Sequence, residues 1–113
     1  MKAFNSYLEY KLVDLKNSKF GREECEKMGM YSSISDRQKR EEELNILICN
    51  FVLSDSAFLE CNTFRELSQY LNSTNIEKFI TDNSINLGYN ISLGYVYSYI
   101  TSLWSQFNAG NDL

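Results

Sequence analysis

The most regular hydrophobic pattern of the sequence lies between residues 92 and 107. Seven large apolar residues there fall within an arc of about 120° on a helical wheel. They are Leu93, Val96, Tyr97, Ile100, Leu103, Trp104 and Phe107. Ser92 stands directly before them, where a helix-capping hydroxyl is favoured. The pattern therefore predicts an amphipathic helix over 92–107 with one face in a core.

A second pattern overlaps this helix, because large apolar residues also recur at every second position from Ile85 to Tyr99. A period of two is typical of a strand or a hairpin. The helical period continues through Trp104 and Phe107, where the alternation fails, and it therefore favours the helix. A short hairpin around 85–97, which would make the fold α+β, is the alternative.

Three possible capping boxes indicate where other helices begin, since a hydroxyl residue stands three positions before Glu or Gln in each. They are Ser35–Gln38, Thr63–Glu66 and Thr74–Glu77. With the apolar spacing that follows, they predict helices over 36–53, 63–72 and 75–82. The helix over 36–53 starts with charged residues and ends with apolar ones, so we expect it to begin in solvent and to end in the core.

The first 28 residues predict two helices. One leucine stripe at helical spacing supports a helix over 3–17, and it consists of Leu8, Leu12 and Leu15. Asn17, Ser18 and Gly21 are weak helix formers, so they are expected to end this helix. A short second helix over 22–28 follows.

These patterns together predict an all-α fold, a compact single-domain bundle of about five helices. The predicted helices cover approximately 3–17, 22–28, 36–53, 63–72, 75–82 and 92–107. A chain of 113 residues is long enough to bury one core without a metal or a disulfide. We therefore expect residues 1–113 to form a single globular helical domain.

Charge is divided unevenly along the chain. The first 43 residues hold 18 of the 26 charged side chains, nine basic and nine acidic. The remaining 70 residues hold eight, of which only Arg65 and Lys78 are basic, and they carry the whole net charge of −4. A segment so poor in charge is expected to pack and to contact another surface.

The sequence argues against several chemistries. Histidine is absent, which removes the commonest general base and the commonest metal ligand. Cys25, Cys49 and Cys61 have the spacing of neither a disulfide framework nor a zinc site. Glutamates cluster at 23–26 and 41–43, but adjacent helix positions diverge by about 100° and do not converge on one ion. We predict that the protein is no enzyme and holds no cofactor or metal.

No apolar run approaches the ~20 residues of a membrane-spanning helix. The longest, Ile46 to Val52, is interrupted by Asn50. The first residues also lack the continuous apolar stretch of a signal peptide. We therefore expect a cytoplasmic protein without a membrane partner.

Six residues of the charge-poor segment are candidates for partner binding. Tyr95 and Tyr99 lie four positions apart, opposite the apolar arc of the last predicted helix, where large amphipathic rings suit a protein contact. The alternative is that helices of the same chain cover both rings. The other candidates are the isolated acids Asp55, Glu60, Glu77 and Asp82.

Acidity without catalytic groups suits a non-catalytic inhibitor that covers a basic surface on a protein partner. In profile (small, acidic and single-domain) the chain is similar to bacterial immunity proteins and antitoxins, and this similarity implies a partner such as a toxin nuclease. A phage-type inhibitor of a host nucleic-acid enzyme has the same profile. A helix-turn-helix transcription regulator using 63–80 is the alternative from another class. DNA phosphates require a basic surface that this segment lacks, so nucleic acid is not the expected partner.

Overall fold

The computed structural model describes residues 2–29 and 35–111 and contains six helices there, with no strand among these residues. The helices are α1 (Lys2–Lys27), α2 (Asp36–Leu53), α3 (Ser56–Leu59), α4 (Phe64–Leu71), α5 (Thr74–Leu87) and α6 (Leu93–Asn111). The predicted all-α fold is confirmed. None of the six helices is both long and apolar enough to cross a membrane.

The hairpin considered around 85–97 is wrong. Helix α5 continues to Leu87, and residues 88–92 form a short connection to α6. Three residues of the predicted apolar arc are almost fully buried on α6: Val96, Ile100 and Leu103. A helix places all three on one face. A strand would instead put Val96 on the face opposite to the odd-numbered residues around it. Burial of that common face explains why the helical period prevails over the alternation.

Two of the three predicted capping boxes are confirmed. The Ser35 hydroxyl accepts a hydrogen bond from the Gln38 N–H at 3.2 Å, and the Gln38 side chain accepts one from the Ser35 N–H at 3.0 Å. Thr63 and Glu66 cap α4 in the same reciprocal way. The third box is wrong: α5 begins at Thr74, so Ser73 takes the N-cap position and makes no side-chain cap bond. Because the turn after α4 is short, α5 begins one residue earlier than the predicted box requires.

The predicted break between helices over 3–17 and 22–28 is also wrong, because α1 is continuous from Lys2 to Lys27. Arg22, one residue after Gly21, donates two hydrogen bonds to the Glu42 carboxylate on α2, at 2.7 and 2.5 Å. It also pairs with Glu26 one turn further along α1. A glycine inside a helix costs only about 1 kcal/mol relative to alanine. The hydrogen bonds from Arg22 to α2 and the local ion pair with Glu26 together outweigh the cost of a glycine inside α1.

Helix α2 is the central element of the fold, and it begins in solvent and ends in the core, as its sequence predicted. It packs against α1, α3 and α6. Its first turns are exposed, whereas its second half contributes four buried residues to the core: Leu44, Ile48, Cys49 and Val52. The same core cluster contains buried side chains from every other helix, including Leu8 of α1 and Phe58 of α3. The core therefore lies around the C-terminal half of α2.

The short helix α3 has no counterpart among the predicted helices. Asp55 caps it by accepting a hydrogen bond from the Ala57 N–H at 3.1 Å. Phe58 is fully buried and lies against the Tyr70 ring of α4, with 5.6 Å between the ring centroids. The Trp104 indole N–H of α6 donates to the Cys61 carbonyl at 3.0 Å, just after α3. A helix of four residues has too little periodicity to be recognised from sequence, and its position depends on these contacts.

Helices α5 and α6 both end later than predicted. Helix α5 continues past residue 82 to Leu87 and stops where Gly88 adopts a left-handed conformation with φ of 78°. The Gly88 N–H bonds the Ser84 carbonyl at 3.0 Å. Helix α6 begins after Ser92, whose hydroxyl accepts from the Tyr95 N–H at 3.2 Å, and it continues past residue 107 to 111. Helix α5 therefore ends where a glycine provides the left-handed C-cap geometry.

We expect the free energy of unfolding to fall by about 2–5 kcal/mol on Ile48→Ala, because the substitution leaves a cavity in the core around α2. Ile85→Ala on α5 is the matched control, since Ile85 is 75% exposed whereas Ile48 is 0% exposed. The control should change stability by no more than about 0.5 kcal/mol. Urea unfolding followed by circular dichroism measures both. Equal losses in the two variants would contradict the central position of α2.

Two glycine substitutions should change stability in opposite directions. Gly21→Ala should raise the free energy of unfolding by about 0.5–1 kcal/mol, because Gly21 lies inside α1 with nothing within 4 Å of the added carbon. Gly88→Ala should lower it by about 1–2 kcal/mol, because alanine is strained at positive φ. Urea unfolding distinguishes the two. A neutral or destabilising Gly21→Ala would contradict a continuous α1.

Candidate functional site

A groove of about 620 Å³ lies between the C-terminal half of α2 and one flank of α5. Apolar side chains at the groove are Leu47, Phe51 and Phe79, and its charged side chains are Asp55, Lys78 and Asp82. The Phe51 and Phe79 rings lie against each other with 4.6 Å between their centroids. Asn50, Asn75 and Asn83 also line it. This α2–α5 groove thus combines an aromatic pair with two carboxylates and one lysine.

Asp55 is held in one position by three hydrogen bonds. Its Oδ1 accepts from the Ala57 N–H at 3.1 Å, and its Oδ2 accepts from the Tyr70 hydroxyl at 2.8 Å and from the Asn75 side-chain amide at 3.2 Å. Burial raises the pKa of Tyr70, and the hydrogen bond to Asp55 raises it further. Asp55 therefore serves the fold as the cap of α3 and keeps a fixed carboxylate at the groove.

Asp82 and Lys78 are exposed residues one turn apart on α5. The ion pairs between described residues all lie on α1 and α2: Arg22–Glu26, Arg22–Glu42, Lys27–Glu24 and Arg37–Glu41. No ion pair within the described part of the chain involves α3 to α6. The exposed carboxylates of Glu60, Glu77 and Asp82 are therefore not neutralised by contacts within that part.

The four predicted acids do not form one cluster. Asp55 and Asp82 both line the α2–α5 groove. Glu77 lies on the other flank of α5, in a second groove of about 400 Å³ that Tyr97 of α6 also lines. Glu60 lines a third depression, which shares Asn75 with the first groove. The tertiary structure thus brings together two of the four.

Tyr95 and Tyr99 stack against each other on α6, with 6.4 Å between ring centroids and 4° between ring planes. Both are half-buried. The Tyr95 hydroxyl donates to Asn45 of α2, and the Tyr99 hydroxyl is buried without a hydrogen-bond partner among the described residues. Burial raises the pKa of both hydroxyls. Helices of the same chain therefore cover part of each ring, and their role in partner binding stays a prediction for the part that is exposed.

Two of the three thiols, those of Cys49 and Cys61, are not prepared for nucleophilic chemistry. Burial raises the pKa of the Cys49 thiol to about 11, and burial and nearby carboxylates raise that of Cys61. Each donates to a backbone carbonyl, Cys49 to Leu8 and Cys61 to Ala57. Both are therefore protonated at neutral pH. Among residues 2–29 and 35–111, no group of three metal-ligating side chains converges.

Helices α4 and α5 do form a helix corner over the segment 63–80, with a two-residue turn at 72 and 73. Its basic residues are Arg65 and Lys78, and acids on α4 and α5 outnumber them: Glu66, Glu77 and Asp82. Because DNA binding depends on a basic surface, the corner alone does not support a regulator. That alternative stays an untested prediction.

Sequence reasoning missed the amides and the aromatic pair of the α2–α5 groove. Asn75, Phe79 and Asn83 recur at intervals of four on α5, and this spacing could have indicated one flank of a helix. No spacing indicates that this flank faces Phe51 on α2. The groove therefore needed the tertiary structure to be recognised.

Two Tyr→Phe substitutions should distinguish a hydroxyl that donates a hydrogen bond from a buried hydroxyl that has no hydrogen-bond partner among the described residues. Tyr70→Phe should lower the free energy of unfolding by about 1–2 kcal/mol, because Asp55 loses a donor. Tyr99→Phe should leave it unchanged or raise it by up to about 1 kcal/mol, because it removes a buried hydroxyl without a partner. Urea unfolding at neutral pH measures both. Equal losses would contradict the difference between the two hydroxyls.

Comparison of the chain with protein-family models, with curated proteins and with solved structures finds no match. The similarity to immunity proteins is one of profile alone. Any function therefore has to be argued from the geometry of this chain.

Proposed function

We propose that this protein is a non-catalytic inhibitor of the immunity-protein or antitoxin kind, which binds a basic protein partner such as a toxin nuclease and covers its surface. One observation supports this proposal most: the exposed carboxylates in the part of the chain from α3 to α6 form no ion pair with any described residue. The proposed setting is the cytoplasm of a bacterium.

Electrostatics makes such a surface useful for inhibition. Exposed carboxylates without internal partners attract a basic partner over distances near the Debye length, which raises the rate of association. Carboxylates without an internal partner also need not break an existing ion pair before they bind. Glu60, Glu77 and Asp82 meet this condition. In contrast, the acids of α1 and α2 include several that are already paired, among them Glu42 and Glu26.

The α2–α5 groove adds an apolar contact area, which exposed charges alone do not supply. Protein interfaces commonly have an apolar centre inside a polar rim. Leu47 and Phe51 are half-buried at the groove, next to the charged groups of Asp55 and Asp82. A partner that inserts a side chain there gains apolar contact and charge complementarity at one place. A phage-type inhibitor of a host nucleic-acid enzyme would use the same surface, and the identity of the partner distinguishes the two.

The test is affinity capture from the native cell with the wild-type chain and two triple variants. In the first, Glu60, Glu77 and Asp82 are changed to Lys, and we expect partner affinity to fall at least about tenfold, because attraction at these three positions becomes repulsion. In the control, the exposed acids Glu9, Asp14 and Glu23 of α1 are changed to Lys. The control has the same net charge and should bind within about threefold of wild type.

Equal loss in both triple variants would mean that net charge, and not the position of these three acids, determines binding. Loss in neither variant, or capture of no basic protein, would contradict the proposed inhibitor. Salt-sensitive binding of the wild-type chain to random DNA would favour the transcription regulator instead. Circular dichroism of each variant checks that all of them fold.

A further inference from the structure

We propose that the α2–α5 groove receives an arginine side chain of the basic partner, with Asp82 as the carboxylate that pairs with its guanidinium. This inference rests on the proposed function, for which it names the chemistry of one contact. It is argued from the charge balance of the groove, from its free hydrogen-bond acceptors and from its aromatic pair.

Formal charges in the groove leave one negative charge unmatched. The two carboxylates belong to Asp55 and Asp82, and the one cation belongs to Lys78. Asp55 already accepts three hydrogen bonds, whereas no hydrogen bond or ion pair joins Asp82 to another described residue. Asp82 is therefore the carboxylate with free acceptor positions, and the groove has capacity for one added cation.

One of the two side-chain N–H groups of each of two groove amides is already used within the chain. The Asn75 side-chain N–H donates to Asp55 at 3.2 Å, and the Asn83 side-chain N–H donates to the Phe79 carbonyl at 2.8 Å. These bonds leave the side-chain oxygen of each asparagine as an acceptor. Together with Asp82 they form a rim rich in acceptors. Such a rim matches arginine, which has five N–H donors and no acceptor.

The aromatic pair favours arginine over lysine. Phe51 and Phe79 line the same groove as Asp82, and the half-buried Phe51 ring is the more accessible of the two, since Phe79 is only 7% exposed. A planar and weakly hydrated guanidinium stacks on aromatic rings and pairs with a carboxylate through two N–H groups, whereas an ammonium ion stays strongly hydrated. An arginine side chain can therefore use the aromatic and the acidic parts of the groove together.

The probe for this site is N-acetyl-L-arginine methylamide, titrated into the ¹⁵N-labelled full chain and followed by NMR. We expect saturable shifts at Asn50, Asn75, Asn83 and the backbone of residues 78–83, with a dissociation constant of about 1–10 mM, as befits so small a ligand. The citrulline analogue, which has the same shape without the charge, should bind at least about fivefold more weakly. The lysine analogue should also bind more weakly.

Asp82→Asn should abolish saturable arginine binding, and Asp14→Asn at an exposed position of α1 is the matched control that should retain it. Equal binding of arginine and citrulline, or arginine binding that survives Asp82→Asn, would overturn the inference. Partner binding that survives Asp82→Asn but is lost in the triple reversal would overturn the inference and keep the proposed function. If arginine binds in the groove but no basic partner is captured from the cell, the result would support the preference of the groove for arginine and contradict the proposed function.

Discussion

Burial of the second half of α2 is the constraint on which the rest of the structure depends. Ile48, Cys49 and Val52 are fully excluded from solvent, so that other helices must cover α2 on several sides. Helices α1, α3 and α6 pack directly against it. Phe51 sits at the edge of this buried half and meets Phe79 of α5, which leaves the α2–α5 groove beside the core. The candidate site is therefore a consequence of how α2 is covered.

Charge is used differently in the two parts of the chain. On α1 and α2, opposite charges pair with one another, and Arg22 joins the two helices through Glu42. On α3 to α6, acids serve as helix caps, as Asp55 does, or stay exposed, as Asp82 does. A partly buried, bidentate pair can orient helices, whereas an exposed pair contributes little. The uneven charge of the sequence thus corresponds to one part whose opposite charges pair with each other and another whose exposed carboxylates form no ion pair among the described residues.

The features that could be predicted from sequence are those that depend on neighbouring residues. The caps at Ser35 and Thr63 need only a hydroxyl and a Glu or Gln three residues later, and both form. Two of the errors occur where distant contacts change a local preference. Arg22 bonds to α2 and α1 continues past Gly21, while contacts from α4 and α6 define the short helix α3. In both cases the missing information lies in another part of the chain.

The sequence by itself determined the helical class, most helix starts, the apolar faces and the separation of balanced from unbalanced charge, because these follow from the periods of a helix and from composition. Only the tertiary structure decided which candidates share a site. It put Asp55 and Asp82 in one groove, left Glu77 on the opposite flank of α5 and turned the Tyr95 and Tyr99 hydroxyls towards the chain. The physical reason is that a groove consists of side chains from separate helices, and their packing around α2 depends on contacts between residues far apart in sequence.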